Sequence, residues 1–305
     1  MISFSPTEEQ QMIVTMVKQF ANDEMRKIYR ECDESGEIPD SVIDTAWKMG
    51  LISSNIPDEY GGSGGEHSAI TGSLIGEELA WGDLSMTMHI LCPALFAYPV
   101  LEMGTETQKR KYLPLFCGEK YKAATAALIE PRFGFDPCSL STIAQPDGNE
   151  YVLNGEKCYV PLAAEADFLL VYARENGNSQ GFIIEKGTKG LEVGEQEKNM
   201  GIKALATYEL SLKNCRVPKE NRLGGQKGCD FKRITNQTPF LFFKHSYLFL
   251  LRHSFPGVTI AIPSIGIPIR HSIPMMPRPR LPASKPRPHL ITSLRNSKTY
   301  HPRYP

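Results

Sequence analysis

Residues 104–129 read GTETQKRKYLPLFCGEKYKAATAALI, and the pattern of the chain changes within them. Thr105 and Gln108 form a capping box ahead of a helical segment, Lys109–Phe116. From about residue 121 the helical period ends, and residues 123–129 form an apolar run with the length of a buried strand. This stretch predicts a boundary between a helical region and a β-rich region.

The residues before this boundary carry the start and stop signals of helices. Ser5 is predicted to cap the first helix, with Pro6 at its first position and Glu8 closing a capping box. Further helical segments are predicted at residues 40–51, 68–81 and 83–103, with a glycine-rich loop at residues 57–65.

Short strand patterns and turn signals follow the boundary. Residues 146–149 and the pair Asn154-Gly155 are predicted turns. Strands are predicted at residues 150–153, 168–172, 181–185 and 208–212. Helices first and strands second predict an α+β protein, with an N-terminal all-α domain followed by an antiparallel β-barrel or sandwich domain.

Residues 237–305 differ in composition from the rest of the chain. They hold 10 of the 34 Lys and Arg residues, 12 of the 23 prolines and no Asp or Glu. Closely spaced prolines prevent a long helix, so we expect an irregular Pro-rich tail, disordered or non-native, from a frameshift or an interrupted gene. A basic arm for nucleic acid or anionic lipid, or a polyproline ligand, is the alternative. The predicted domains are 1–120, 121–235 and 236–305.

Composition and motifs alone exclude several classes of protein. The seven cysteines stand at no metal-ligand spacing, so we predict no metal site and expect reduced thiols in the cytoplasm. The N-terminus carries no basic and apolar leader, and no run approaches the roughly 20 apolar residues of a membrane span. Neither a P-loop nor a dinucleotide-binding glycine motif follows a predicted strand. These features by themselves indicate only a soluble α+β protein.

Five segments, taken in order along the chain, resemble the acyl-CoA dehydrogenase family. They are IPDEYGGSG at 56–64, GTETQKRKYLP at 104–114, Glu130-Pro131 with Gly134 and Asp136, YVLNGEK at 151–157, and MGIK at 200–203 followed by Val217-Pro218 and NRLG at 221–224. Each segment is a weak signal, whereas their joint order is specific.

The resemblance implies an N-terminal helical domain, a middle β-barrel and a C-terminal four-helix bundle, with FAD between the last two. It implies α,β-dehydrogenation of an acyl-CoA thioester, with a Glu as base and FAD as hydride acceptor. It also implies an electron-transfer flavoprotein as electron acceptor and a homo-oligomer, with no nucleic acid and no membrane as partner.

The resemblance places the flavin contacts in the predicted β-domain. The implied cofactor-binding residues are Leu128, Ile129, Gly134, Phe135, Tyr159 and Pro161. Backbone donors are expected near Leu128 and Gly134, and Tyr159 stands where the family has a stacking Trp.

The match to these flavin-binding motifs is imperfect. Ile129 and Pro161 replace family residues that offer hydroxyls to the flavin ring, and Phe135 replaces a Ser. The family Glu would lie in the bundle, which the chain after residue 236 does not resemble. We therefore expect a truncated chain with impaired activity and no assignable catalytic residue. A non-catalytic scaffold or binding protein derived from the same fold is the alternative.

Overall fold

The computed structural model describes residues 6–65 and 68–231, so the predicted tail at 236–305 and the predicted cap Ser5 lie outside the described residues. The helices come first along the chain. They are α1 (Glu8–Phe20), continued by a π-helical turn (Ala21–Met25), α2 (Tyr29–Ser35), α3 (Asp40–Lys48), α4 (Ala69–Gly82), α5 (Leu84–Leu91), α6 (Ala94–Met103) and α7 (Glu106–Tyr112). The helical region predicted before residue 120 is therefore present.

Helix α1 begins at a different capping box from the predicted one. Thr7 is the N-cap, its hydroxyl accepts from the Gln10 amide, and the Gln10 side chain accepts in turn from the Thr7 amide. The assignment of Glu8 to the box is thus wrong, because Gln10 stands three residues after the cap as the motif requires. The predicted box at Thr105 and Gln108 is confirmed ahead of α7.

Helices α5 and α6 form a long apolar stretch. Leu84–Met103 is long and apolar enough to cross a bilayer by length and composition, with a mean hydropathy of 1.5. The prediction that no run approaches such a span is therefore wrong. However, 72% of its most apolar window is buried inside the protein, as expected of a core helix.

Within the part of the chain that the structure describes, seven strands form one curled sheet after the helices. They are β1 (Ala124–Ala127), β2 (Ile143–Asp147), β3 (Glu150–Pro161), β4 (Phe168–Glu175), β5 (Asn178–Glu185), β6 (Leu191–Gln196) and β7 (Thr207–Pro218). Their order is β1-β4-β2-β3-β7-β6, with β5 paired to β4. The sheet is mixed rather than purely antiparallel, since β4 runs parallel to β1 and to the first residue of β2.

The pair Asn154-Gly155 is not the predicted turn but lies within β3. The Asn154 side chain accepts from the Asn214 amide on β7, which ties the pair to the neighbouring strand. A Cβ at Gly155 would meet Thr142 at 2.6 Å. Glycine is therefore needed here for the close approach of the preceding segment, not for a reversal of the chain.

The helices and the sheet share one hydrophobic core. The aromatic rings of Phe96 on α6, Tyr112 on α7 and Phe168 on β4 pack together with centroids 5.3–5.8 Å apart. Gln108 adds a polar link: its side chain donates to the carbonyls of Glu220 and Arg222 and accepts from the Gly224 amide. Helix α7 is thereby fixed to the segment that follows β7.

We expect Gln108→Ala to lower the free energy of unfolding by about 2–3 kcal/mol, because the buried Gln108 side chain loses its hydrogen bonds to the Glu220 and Arg222 carbonyls and the Gly224 amide. Urea denaturation followed by circular dichroism measures the change. Thr107→Ala is the matched control, since Thr107 is exposed on the same helix turn, and should change stability by less than about 0.5 kcal/mol. Equal effects of the two substitutions would contradict the proposed role of Gln108.

Candidate functional site

A buried ion pair joins the segment after β1 to β3. The Lys157 Nζ lies 3.0 Å from Glu130 Oε1 and donates to the Leu128 carbonyl at 3.1 Å. Glu130 also accepts from the amides of Ser141 (2.6 Å) and Thr142 (2.8 Å). Lys157 is 0% exposed and Glu130 is 4% exposed. Each buried charge is therefore paired and hydrogen-bonded, which is the condition for tolerating it.

Burial and pairing act on both members of this pair. Burial would raise the pKa of Glu130, but Lys157 and the two backbone amides prevail and lower it to about 2. Burial lowers the pKa of Lys157 to about 8, against the opposing effect of Glu130. Both groups remain charged near neutral pH.

Strand β3 bulges directly after Lys157. The register with β7 shifts between Lys157 and Val160, so one extra residue breaks the alternation of buried and exposed side chains. Cys158 is buried, whereas Tyr159 is 45% exposed. Tyr159 has φ 51°, a left-handed conformation that costs a non-glycine residue about 1–2 kcal/mol. The bulge thus presents an aromatic ring on the outer side of β3.

The loop after β1 lies beside this bulge. The Cys158 amide donates to the Ile129 carbonyl at 3.0 Å, and Lys157 holds the Leu128 carbonyl. Ile129 is half-buried, and its own amide donates to no residue within the described ranges. The predicted residues Leu128, Ile129 and Tyr159 are therefore brought together by Lys157 and Cys158.

The other three predicted cofactor-binding residues are Phe135, Pro161 and Gly134, and each has different surroundings. Phe135 is half-buried and packs against the core cluster that Leu128 also borders. Pro161 is buried at the end of β3, where its carbonyl accepts from the Cys92 thiol at 3.8 Å. Gly134 is exposed with φ 65° and open space at its Cβ position.

A surface cleft of about 360 Å³ adjoins the ion pair. Arg132, on its rim, lies 3.6 Å from Glu130. The cleft is lined by Glu130, Pro131, Arg132, Ser141, Gly155, Glu156, Ser211, Leu212 and Lys213. Charges of both signs therefore border the site on this side.

Sequence reasoning missed Lys157 and Glu130 as partners. Both stand in the quoted motifs, but 26 intervening residues separate them and no local pattern connects them. Lys157 directly follows Asn154, Gly155 and Glu156, so the sequence around it is polar and no local signal marks it as buried.

We expect Lys157→Met to lower the free energy of unfolding by about 3–5 kcal/mol, because it leaves the buried Glu130 carboxylate without its cation. Chemical denaturation of both proteins at neutral pH measures this loss. Lys213→Met is the matched control: Lys213 lies 2.8 Å from Glu192, but both side chains are mostly exposed, so solvent screening should leave stability almost unchanged. A similar loss in both variants would contradict the special role of the buried pair.

The depressed pKa of Glu130 predicts an acid-sensitive contribution to stability. Its folded pKa of about 2 lies below the ordinary value of 4.5, so the contribution is complete above about pH 4.5 and is lost as the pH falls towards 2. The stability difference between the wild type and Glu130→Gln should therefore shrink across this window. Urea midpoints measured from pH 6 to pH 3 test this, and a constant difference would refute it.

Comparison with known proteins assigns the chain to a family. The profile of the acyl-CoA dehydrogenase N-terminal domain matches residues 7–120, and that of the middle domain matches residues 125–215. Cyclohex-1-ene-1-carbonyl-CoA dehydrogenase of Geobacter metallireducens is 34% identical over 225 residues, covering 72% of this chain and 59% of the relative. The caffeyl-CoA reductase–Etf complex subunit CarC of Acetobacterium woodii is 34% identical over 226 residues, with the same two shares.

A solved structure shows the same likeness. Acyl-CoA dehydrogenase complexed with FAD from Bacillus anthracis is 32% identical, with a TM-score of 0.62, over 73% of this chain and 39% of that chain. The present chain spans 59% of the length of the two curated relatives. The chain belongs to the acyl-CoA dehydrogenase family, whose N-terminal and middle domains it matches.

Proposed function

We propose that this chain is an acyl-CoA dehydrogenase-like flavoprotein, with FAD as cofactor and an acyl-CoA thioester as substrate class, and that its dehydrogenation activity is impaired. The observation that carries the proposal is the bulge of β3, where Tyr159 is exposed beside the Ile129 loop and supported by the buried pair of Lys157 and Glu130. Family membership supports the substrate class, and the activity of the whole protein is part of the proposal.

The residues present fit a flavin through backbone and ring contacts rather than through hydroxyls. Ile129 is half-buried, and no acceptor within the described ranges receives its amide hydrogen, so this donor is available to an external acceptor. Tyr159 offers an exposed aromatic face for stacking. Ile129, Phe135 and Pro161 provide no side-chain donor, and Pro161 has no amide hydrogen. We propose that the site holds FAD with fewer hydrogen bonds than the family pattern implies.

When bound, FAD would supply the hydride acceptor for oxidation of the α,β carbon–carbon bond. The chain's own residues orient and shield this site: Lys157 and Glu130 fix the two backbone segments, and Tyr159 would cover one side of the ring. Leu128 and Gly134 are proposed as further backbone contacts. No residue is assigned as the base, and residues 237–305 contain no Asp or Glu that could supply one.

The proposal extends to domains, partners and compartment. Residues 1–120 would form the helical domain and residues 121–235 the flavin-contacting domain, within a homo-oligomer. CarC belongs by name to an Etf complex, which supports an electron-transfer flavoprotein as the electron acceptor. All seven cysteines are free, four of them buried, which supports a reducing, cytoplasmic setting.

A non-catalytic scaffold or binding protein of the same fold is the second candidate. The specific observation in its favour is that Phe135 packs against the core, where the family pattern has a Ser. A chain that never binds FAD would retain this fold and lose the cofactor chemistry.

The proposal is tested by adding FAD to the full chain, removing unbound flavin and recording the flavin absorbance. Acyl-CoA of several chain lengths is then added without oxygen. Bound flavin would establish the cofactor, and its bleaching by an acyl-CoA would establish the activity. Because no base is assigned, we expect binding with little or no bleaching. A chain that retains no flavin at any FAD concentration would favour the scaffold.

We expect the double variant Ile129→Thr with Pro161→Thr to bind FAD about tenfold more tightly, since two hydrogen bonds contribute roughly 2 kcal/mol. Flavin fluorescence titration measures the affinity. Ile143→Thr is the control, because Ile143 is 37% exposed on β2 and carries no implied flavin contact. Unchanged affinity in the double variant would show that these positions do not face the ring.

A further inference from the structure

The strands on both sides of β7 are bulged, and both bulges lie opposite residues 208–210 of β7. On one side, Lys157 of β3 pairs with Leu210 and Val160 pairs with Tyr208. Strand β3 therefore has one more residue than β7 between these two pairs. On the other side, β6 makes the same shift between Val193 and Gln196, against the same two residues of β7. Each bulge leaves backbone groups without a ladder partner on β7.

Glu197 links the two bulges. It follows β6 directly, and its amide donates to the Thr207 carbonyl at 2.8 Å, which fixes its backbone beside β7. Its Oε1 accepts from the Tyr159 amide at 3.3 Å. The carboxylate therefore reaches across β7 to the extra residue of β3. It takes the place of the backbone acceptor that the bulge removes.

We propose that Glu197 is a positioning residue that holds Tyr159 in its left-handed conformation and thereby sets the ring against the flavin. The inference rests on the proposed function for its flavin part, and on the contacts of Glu197 for its backbone part. A tyrosine at φ 51° persists only where surrounding contacts stabilise it, and a charge-assisted hydrogen bond to its amide is such a contact.

The burial of Glu197 supports this role. Its Oε2 atom is buried and accepts no hydrogen bond from any residue that the structure describes. A buried carboxylate oxygen is ordinarily hydrogen-bonded, so the Oε2 atom gives no account of the residue. The bond from the Tyr159 amide to the other oxygen does.

Two variants of similar size separate the acceptor from the volume of the side chain. Glu197→Leu removes the acceptor, and Glu197→Gln keeps one. In the full chain without flavin, we expect the Tyr159 amide to exchange with deuterium at least about tenfold faster in the Leu variant, as for a lost charge-assisted bond. In the Gln variant the rate should stay within about threefold of wild type, since a neutral acceptor remains. The control Glu195→Leu, exposed on β6, should leave the rate unchanged.

Flavin affinity tests whether Glu197 affects FAD binding through the Tyr159 ring. Glu197→Leu should weaken FAD binding about tenfold, and Glu197→Gln should bind nearly as wild type. In a Tyr159→Ala background, Glu197→Leu should add no more than about a twofold loss, because the two residues act through one contact. Additive losses would show that Glu197 acts independently of Tyr159 and would overturn the proposal.

Two claims can be refuted separately: that Glu197 holds the backbone of Tyr159, and that the Tyr159 ring contacts the flavin. A wild-type Tyr159 amide that exchanges at the rate of an unstructured peptide, or one that is unaffected by Glu197→Leu, would overturn the positioning role. Faster exchange with unchanged FAD affinity would refute the flavin contact of the ring. Wild-type protein that binds no FAD would refute the proposed function, and the exchange rates alone would then decide whether Glu197 holds Tyr159.

Discussion

The pairing of Lys157 with Glu130 is the constraint on which the candidate site depends. Neither charge is tolerated in the interior alone, so β3 and the segment after β1 must meet where the ammonium and the carboxylate are 3.0 Å apart. The Ser141 and Thr142 amides add the start of β2 to the same point. Three separate backbone segments are therefore fixed around one carboxylate. Replacing the pair by apolar residues of similar size could preserve stability, but it would remove the fixed geometry.

The contact between the helices and the sheet is of a different kind. It is mostly apolar and aromatic, with Phe96, Tyr112 and Phe168 at its centre. Dispersion and burial stabilise such a contact without fixing its details. Gln108 restricts the orientation of the helices on the sheet, since its side-chain amide donates to the Glu220 and Arg222 carbonyls across the interface. The polar links thus determine how the helical region is seated on the sheet.

The two bulges beside β7 connect the fold to the proposed chemistry. In a regular ladder with Lys157 buried, Cys158 would be exposed and Tyr159 buried. The bulge reverses this order, because Cys158 stays buried and the Tyr159 ring is exposed. The absence of hydroxyls at Ile129 and Pro161 makes the ring and the backbone more important for any flavin contact. Flavin binding at this site would therefore depend on the backbone conformation of Tyr159. For this reason Glu197, which only accepts a hydrogen bond from the Tyr159 amide, is proposed to affect flavin affinity.

Local signals in the sequence determined the helical region, the capping box at Thr105 and Gln108, and the succession of helices by strands. Such features depend on residues three or four positions apart, so they can be recognised in one chain. The ordered motifs also indicated the family. Only the tertiary structure decided the parallel pairing of β4 with β1, the position of Asn154-Gly155 inside β3, and the partners Lys157–Glu130 and Glu197–Tyr159. These contacts join residues that are at least 27 positions apart in the chain, and no local preference specifies which strands become neighbours, because register is set by packing of the whole sheet.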